Sequence, residues 1–214
     1  KGIQVELGTR ISAWQNRLYI DAALYQIELK DLLVTKRITE DIFTGINAGR
    51  TRHQGLEMQV QTVWMNRNAF PGSFKSTVSY NWNRHRFIDF TDDGNTYNNK
   101  HLPGIPNQTA TIQVQWNPVQ QVTWELQTRY SGAQFINDSN TEKMNGYALT
   151  NSKLRFKSKQ EKCPIQLEIG VNNLFDIRYA SMLVVNAIAM GSNEPRYYYP
   201  GLPRHFYLAL RLQL

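Results

Sequence analysis

The chain has 214 residues, enough for one sizeable domain, and it reads as a polar protein, with 41% hydrophobic residues and a mean hydropathy of −0.50. No apolar run approaches the roughly 18 residues of a transmembrane helix. This excludes helical spans but not a β-barrel, whose strands are only half apolar. The net charge is +7, but Lys and Arg are scattered without a basic patch, so we expect no nucleic acid partner.

The single cysteine and the first residues indicate which covalent and targeting features to expect in this chain. Cys163 alone can form neither an internal disulfide nor a Cys-based zinc site, and we interpret it as incidental. No signal peptide begins at Lys1, where strand-like alternation starts almost at once. We therefore expect either a mature form or a fragment.

Apolar and polar residues alternate along nine segments, with the two-residue period of a β-strand. The alternation is clearest at the end of the chain, where Phe206, Leu208 and Leu210 begin an apolar face that runs to Leu214. The predicted strands cover residues 3–11, 17–36, 43–65, 74–90, 110–116, 122–129, 147–157, 165–179 and 204–214. We predict no helix.

Two irregularities interrupt the alternation in the first third of the chain. The apolar residues change parity at Ile27 and Leu29, which predicts a β-bulge beyond Gln26. Gly49 and Gly55 lie in or near the third strand, where glycine often marks a bulge or a close approach of another chain segment.

Short and long connections alternate along the chain. The short ones lie near Gln15, Ala69, Val119 and Gln160, with a tight turn predicted at Asn117-Pro118, and the longer ones lie near Thr39, Asp93, Asn140 and Asn193. This alternation places all long loops at one end of the sheet, as in outer-membrane barrels, whose short turns are periplasmic. With an odd number of strands, we expect Leu214 on the periplasmic side.

The polar face of these strands decides between two architectures. Its residues are Gln59, Gln61, Gln113, Gln115, Glu125, Gln127, Arg129, Gln166, Glu168 and Asn172. Burying so many amides and charges in a dry core is costly, and several predicted strands exceed the roughly 10 residues that cross a bilayer. The pattern favours an all-β, antiparallel up-and-down transmembrane β-barrel over a soluble β-sandwich.

Four short motifs, in order from residue 47 to the end, resemble those of TonB-dependent outer-membrane receptors. Val171–Tyr179 carries the Asn-Leu-Phe-Asp…Tyr pattern found near the C-terminus of that family. The other motifs are 200–204 (Pro-Gly-Leu-Pro-Arg), 47–49 followed by 55–57, and 102–106 (Leu-Pro-Gly-Ile-Pro). Each motif alone is weak, but together they are specific, and they span residues 47 to 214, most of the chain.

The resemblance implies a 22-stranded barrel that encloses an N-terminal plug domain. Residues 1–214 would be the C-terminal part of that barrel, about nine strands, with the plug and the first strands upstream of Lys1. Contact with the TonB system would then run through the missing plug. The terminal strand resembles the signal read by the barrel-insertion machinery, although Leu214 and Ala209 stand where the family usually has an aromatic residue and Gly.

The ligand-binding candidates lie in the loops on the long-loop side: Tyr97, His101, Arg196, Tyr197, Tyr198 and Tyr199. Three consecutive tyrosines beside an arginine could stack on, or hydrogen-bond to, an anionic aromatic iron chelate. The alternative, which we favour from sequence alone, is an interfacial aromatic girdle where the strands leave the bilayer.

We expect no metal site, no cofactor and no catalytic site in this chain. His53, His85, His101 and His205 come from different segments without ligand spacing. Asp92–Asn95 lacks the full pattern of a calcium loop and reads as a plain turn. No nucleophile with a neighbouring base stands out.

The resemblance therefore predicts part of an outer-membrane receptor, surrounded by outer-membrane lipid, that is not an enzyme. The full protein would take up a scarce small ligand, such as a ferric siderophore, with energy from the inner membrane. Two alternatives stay open: a passive porin-like or structural barrel, and a soluble β-protein. A plug domain upstream would separate the receptor from the porin, and extraction that needs detergent would exclude the soluble protein.

Overall fold

The computed structural model describes residues 1–31, 33–38, 42–47, 49–65, 72–92, 94–159, 165–187, 189 and 195–212. Within these ranges no helix is long and apolar enough to cross a membrane. The described strands are β1 Gly2–Ala13, β2 Leu18–Lys30, β3 Leu33–Arg37, β4 Phe43–Asn47, β5 Arg50–Met65, β6 Ser73–Asp89, β7 Thr91–Asp92, β8 Asn95–Thr96, β9 Gln108–Val119, β10 Val122–Ser131, β11 Gln134–Phe135, β12 Lys143–Met144, β13 Tyr147–Lys157, β14 Ile165–Asn172, β15 Ala180–Leu183, β16 Tyr198–Pro200 and β17 His205–Leu212.

Nine of these strands form one antiparallel sheet in the order β1-β2-β5-β6-β9-β10-β13-β14-β17. Each strand pairs with its nearest long neighbours in the sequence, so the sheet is an up-and-down meander. The other eight strands form four two-stranded hairpins, β3-β4, β7-β8, β11-β12 and β15-β16. The predicted all-β, antiparallel fold with nine long strands is confirmed.

One face of the sheet is apolar across all nine strands. Residues paired across antiparallel strands share a face, and one such row joins Ile11, Ile20, Val60, Val78 and Ile112 through four successive pairings. At the other edge, Ile169 pairs with Leu208 and Leu167 with Leu210. We call this the apolar face.

The ten predicted polar-wall residues all lie on the opposite face, which we call the polar face. The register pairs Gln113 with Gln127 and Gln115 with Glu125. The same face continues to Glu168, which pairs with Arg155. The alternation predicted from the sequence is therefore confirmed strand by strand.

Aromatic residues are concentrated at two heights of the apolar face. The group nearest the short turns is Trp64, Phe74, Trp116 and Trp124, and the group nearer the long loops is Tyr80, Trp82 and Tyr130. Trp64 donates its Nε1–H to Ser76 Oγ at 2.8 Å, and Trp124 donates to Ser152 Oγ at 3.1 Å. Two aromatic girdles flanking an apolar band are typical of a transmembrane barrel.

The bulge predicted at Ile27 is wrong. The β1-β2 register runs without a break to the pair of Gly2 with Leu29, and the β2-β5 register is equally regular. The parity changes for another reason: beyond Leu24 the apolar face itself becomes polar, with Gln26 and Glu28 in place of apolar residues. The strand keeps its geometry while its surroundings change.

The predicted strands 17–36 and 43–65 are each divided in the structure. The first ends at Lys30, where Asp31 has a φ of 58°, and the second is interrupted at Gly49, which also has a φ of 58°. A side chain at Gly49 would collide with the backbone oxygen of Asp89, so glycine is needed there. The hairpin β3-β4 occupies the space between the two breaks, and the predicted turn at 39–41 lies outside the described residues.

Two further boundaries differ from the prediction. The strand 165–179 ends at Asn172, because Asn173 has a φ of 52° and begins a turn. Asn117 and Pro118 do not form a turn, since β9 continues to Val119 and residues 120–121 make the turn. The short connections predicted near Ala69 and Gln160 are centred outside the described residues.

The sheet does not close on itself within this chain. β1 pairs only with β2, and β17 pairs only with β14, so both edge strands present an unpaired side among the described residues. Unpaired backbone groups are not tolerated in hydrocarbon, which is why barrels that span membranes are closed. The nine strands therefore have the form of a segment of a wider barrel.

We expect the two faces to differ sharply in their tolerance of charge. Val78 lies mid-row on the apolar face, and Ser79 follows it on the polar face. Val78→Arg should destabilise the intact protein in lipid bilayers by about 2–4 kcal/mol, whereas Ser79→Arg should have little effect. Urea titration of bilayer-folded protein measures both, and equal effects of the two substitutions would contradict the assignment of the faces.

Candidate functional site

All four long connections leave the sheet at the same end, and each contains one of the two-stranded hairpins. The short connections β1-β2 and β9-β10 lie at the opposite end. The predicted alternation of short and long connections is confirmed for the described residues. The candidate ligand site is therefore the group of long loops at one end of the sheet.

Tyr97 belongs to a small hydrophobic cluster beneath the second long loop. Phe87 and Phe90 are buried and stack with ring centroids 4.6 Å apart, and Tyr97 packs against Phe90 at 5.6 Å. Ile46 and Leu102 complete the cluster. The ring of Tyr97 therefore helps to hold this loop on the sheet, and a contact with ligand stays a prediction.

His101 ties the same loop to the sheet and to the third loop. Asn140 accepts a hydrogen bond from the backbone N–H of His101 at 2.7 Å and donates to its carbonyl at 2.9 Å. Arg86 donates an Nη2–H to His101 Nε2 at 3.3 Å. Burial lowers the pKa of His101, and the positive charges of Arg86 and Arg84 lower it further. The imidazole is therefore a neutral acceptor.

Further hydrogen bonds join the third and fourth loops. Asn186 donates its Nδ2–H to Asp138 at 2.7 Å and accepts the backbone N–H of Asp138 at 3.0 Å. The backbone N–H of Asn186 also donates to the carbonyl of Ile136 at 2.9 Å. In addition, Gly104 in the second loop donates its N–H to the carbonyl of Phe135 at 2.7 Å. Three loops are thus fastened to one another.

The remaining candidates lie together in the fourth loop. Tyr198 and Tyr199 belong to β16, which pairs with β15, and the carbonyl of Tyr197 accepts the N–H of Val184 at 2.7 Å. The side chains of Tyr198 and Tyr199 are 61% and 55% exposed, and Arg196 is also exposed. Among the described residues no hydrogen bond or ring contact joins this group to Tyr97 or His101, so the six predicted residues form two separate groups.

The polar face carries an ion-pair network that individual strand patterns do not reveal. Arg155 donates two hydrogen bonds to Glu168 at 3.0 and 2.9 Å, and Tyr207 donates its hydroxyl to the same carboxylate at 3.0 Å. On the neighbouring strands, Lys153 forms an ion pair with Glu125 at 3.1 Å. The network depends on the register of four strands, which the sequence did not specify.

Two histidines that the sequence analysis treated as separate lie side by side on the polar face. His53 and His85 are paired across β5 and β6, with ring centroids 4.7 Å apart. Tyr25 Oη lies 3.2 Å from His85 Nε2, and its ring lies over Gly55, where a Cβ would come within 2.6 Å of Cζ. The close approach predicted at Gly55 is confirmed. No group of three His, Cys, Asp or Glu suited to a metal ion occurs among the described residues.

The Asn-Leu-Phe-Asp motif has a structural role in anchoring the last strand. Asn173 is 3% exposed, accepts the N–H of Ile177, and donates to the carbonyls of Ile177 and Leu202. Asp176 accepts the backbone N–H of Arg204 at 2.8 Å, immediately before β17. The motif therefore fixes the fourth loop at both of its ends.

The contact between Asp138 and Asn186 is expected to depend on pH. Burial raises the pKa of Asp138, and nearby Asp92 adds to the effect, although the hydrogen bond from Asn186 opposes it. When the pKa of a carboxyl is higher in the folded protein than in the unfolded chain, its protonated form stabilises the fold. This stabilisation is complete below the pKa of the unfolded chain, about 4, and is lost as the pH rises through the pKa of the folded protein. At pH 7 the contact therefore carries an unfavourable charge.

We expect Asp138→Asn to strengthen this contact at pH 7 and to remove its pH dependence. Hydrogen exchange of the amide of Asn186, corrected for the intrinsic rate, measures the protection. Asn186→Ala is the control, because it removes both side-chain hydrogen bonds and should lower protection at every pH. Lower protection in the Asp138→Asn protein than in the wild type at pH 7 would contradict the assignment.

Comparison with known proteins identifies a family of related β-barrels. A family model described as "TonB dependent receptor-like, beta-barrel" matches residues 1–174. The probable TonB-dependent siderophore receptor PiuA of Acinetobacter baumannii is 25% identical over 178 residues, 81% of this chain and 23% of that protein. The ferrichrome outer membrane transporter/phage receptor of Escherichia coli K12 is 22% identical over 186 residues, 85% of this chain and 23% of that protein.

Solved structures agree in fold. The crystal structure of the siderophore receptor PiuA from Acinetobacter baumannii matches with a TM-score of 0.72 at 20% identity, over 99% of this chain and 28% of that one. The unliganded ferric citrate transporter FecA matches with a TM-score of 0.74 at 21% identity, over 97% and 30% of the two chains. The chain spans about a quarter of the length of the curated relatives it matches. It belongs to the TonB-dependent receptor family, as part of the outer-membrane β-barrel.

Proposed function

We propose that this chain is the C-terminal part of the barrel of a receptor that takes up a scarce ligand, a ferric siderophore, with energy delivered through TonB. The observation that carries the proposal is the family match along residues 1–174 on a sheet with one apolar and one polar face. Two relatives, a probable siderophore receptor and a ferrichrome transporter, support the choice of ligand.

In this proposal the rest of the barrel and the plug lie outside residues 1–214. The unpaired sides of β1 and β17 are where the remaining strands would add to the sheet. A family barrel of 22 strands is wide enough to enclose a plug. The polar face would then line the lumen, where its amides and ion pairs would meet water and the plug, and contact with TonB would pass through that plug.

The apolar face would contact lipid, with the long loops outside the cell and the C-terminus in the periplasm. The short β-turns support this orientation, since short turns are periplasmic in outer-membrane barrels. The last strand would present Phe206, Leu208, Leu210 and Leu212, which are all more than half exposed in this chain, to lipid and to the barrel-insertion machinery.

The ligand would contact the fourth loop first. Arg196, Tyr198 and Tyr199 are exposed on a hairpin held by β15 and by the fastened loops. A guanidinium beside aromatic rings suits an anionic chelate whose own rings can stack. Tyr97 and His101 would not contact the ligand themselves. They would hold the neighbouring second loop in place, Tyr97 through the hydrophobic cluster and His101 through Asn140.

We expect Arg196→Gln combined with Tyr198→Ala to weaken binding of a ferric siderophore to the intact receptor by about tenfold or more. Fluorescence quenching with ferric catecholate, hydroxamate and citrate chelates measures the affinity and identifies the ligand class. Tyr130→Ala is the matched control, because this partly exposed tyrosine lies on the apolar face. Unchanged affinity for every bound chelate would refute the role of the fourth loop.

Energy coupling separates the receptor from a passive barrel. We expect iron uptake through this protein to stop when the inner-membrane TonB complex is absent, since the ligand cannot pass a plugged barrel unaided. Uptake of radiolabelled ferric chelate in strains with and without that complex measures the difference. Equal uptake in both strains would support a porin and contradict the proposal.

A further inference from the structure

Exposed apolar side chains are distributed unevenly among the four long loops. The second loop, residues 90–107, and the third, residues 132–146, expose no large hydrophobic side chain among their described residues. Phe90 in the second loop is 2% exposed and Ile136 in the third is 4% exposed. The fourth loop, beside the edge strand β17, exposes Leu202, and the first loop exposes four side chains by more than half: Leu33, Ile38, Ile42 and Phe43. In the described part of the chain, exposure is therefore confined to the loops nearest the two edges of the sheet.

The two middle loops bury their apolar side chains against neighbouring loops. Ile46 of the first loop packs on the cluster of Phe87 and Phe90 beneath the second loop. The ring of Phe135 in the third loop lies against His101 of the second, with ring centroids 5.7 Å apart. Contact between adjacent loops is thus the way in which this sheet covers apolar groups at its long-loop end.

The hairpin β3-β4 of the first loop is covered on one of its two faces. Ile46 points to the hydrophobic cluster beneath the second loop. Side chains alternate along a strand, so Phe43 lies on the opposite face of the hairpin. Leu33 lies there too, because its Cδ1 is 3.0 Å from the position that a Cβ would take at Gly45. This face, which carries Leu33 and Phe43, therefore points away from the second loop.

The exposed face of the hairpin stands close to the first residues of β1. Lys30 donates its backbone N–H to the carbonyl of Lys1 at 2.8 Å, and Gly2 pairs with Leu29, so Lys1 lies at the long-loop end of the sheet. Leu33 follows Lys30 by three residues, which is at most about 10 Å of chain. In the proposed barrel another strand lies along the free side of β1, and the connection from that strand reaches β1 at Lys1. This connection therefore passes within reach of Leu33.

We propose that the exposed apolar face of the hairpin β3-β4 is an interface for the loop immediately upstream of Lys1. Leu33 and Phe43 form the centre of this interface, and Ile38 and Ile42 form its margin at the tip of the hairpin. The upstream loop contributes apolar side chains, as each described loop does to its neighbour. The interface rests on the proposed function in one respect, which is the presence of a strand before β1 with its loop on the same side of the membrane.

The position of the hairpin favours this partner over lipid or a second receptor. At the base of the hairpin, the side of β2 that is apolar lower down already carries Gln26 and Glu28, so the hairpin stands beyond the apolar band. A stable interface between two proteins takes about 20–30 residues from each partner, whereas this face offers four apolar side chains. A small apolar face of this kind suits a contact within one polypeptide, between loops that are already held side by side.

Photocrosslinking in the intact receptor identifies the partner directly. Benzoylphenylalanine replaces Leu33 in one sample, and in the control it replaces Asn95, which is exposed on the β7-β8 hairpin of the second loop. After irradiation, peptide mass spectrometry locates the crosslinked segment. We expect the probe at Leu33 to crosslink to the loop directly upstream of Lys1 in the same polypeptide, and the probe at Asn95 to leave that loop unlabelled.

Charged substitutions test whether the contact stabilises the upstream loop. Leu33→Asp with Ile42→Asp places two carboxylates in the interface, whereas Asn95→Asp with Thr96→Asp places two on an exposed hairpin of the second loop. We expect hydrogen exchange of the upstream loop to become at least about tenfold faster in the first variant and to stay unchanged in the second. Heat-dependent mobility in SDS gels verifies that both variants are folded.

Several results would overturn the interface. They are crosslinking of the Leu33 probe to the plug, to a second receptor molecule or to no protein segment, and equal exchange rates in the two variants. If these results appear while chelate binding and TonB-dependent uptake persist, the interface alone is refuted. If the crosslink forms but uptake does not depend on TonB, the interface stands and the proposed function is refuted. If no strand precedes β1 in the full sequence, both proposals fail.

Discussion

The structure depends on one constraint: each strand has hydrocarbon on one side and water on the other. This forces strict alternation of side chains, and it also forces every backbone group in the bilayer to find a partner on the neighbouring strand. The nine strands pair with one another along their shared borders, with register irregularities at Arg50/Thr51, Val63/Met65 and Val122/Trp124. Among the described residues the outer borders of β1 and β17 have no partner strand, and that is the physical reason to regard this sheet as an arc of a larger closed wall.

The same constraint explains what happens where the hydrocarbon ends. Above Trp82 the outer side of the sheet faces a polar environment, so Gln and Arg replace Leu and Trp without any change of register. On the other side, Phe87 is buried under the second loop with Phe90. Along one continuous strand the apolar side chains thus move from one face of the sheet to the other. Near the long loops these side chains are covered by the loops, whereas further down the apolar side chains contact lipid.

The change in which face is apolar also explains which features could be predicted from the sequence and which could not. Nine strands, their faces, the polar wall and the side of the long loops were all predicted, because alternation is strong wherever lipid touches the sheet. The bulge at Ile27 was a wrong interpretation of the same signal, since the period persisted while the environment changed. The breaks at Asp31 and Asn173 depend on positive φ at polar residues in loop ends, and hydrophobic alternation carries no information about them.

The loop site was harder to predict for a related reason. The sequence offered six exposed-looking residues, but Tyr97 and His101 are anchored by Phe90, Arg86 and Asn140, whose proximity depends on tertiary packing. The same holds for the ion pair of Arg155 with Glu168, because residues 13 apart meet only through the register of β13 and β14.

Ion pairs form on both faces of the sheet. On the polar face, Glu125 pairs with Lys153 and Glu168 with Arg155, so the groups neutralise one another within the sheet. The same face also carries Arg129 and Arg211, for which the described residues offer no carboxylate partner. On the opposite face Arg50 and Arg52 share the carboxylate of Glu28, and Arg84 and Arg86 lie beside them on β6.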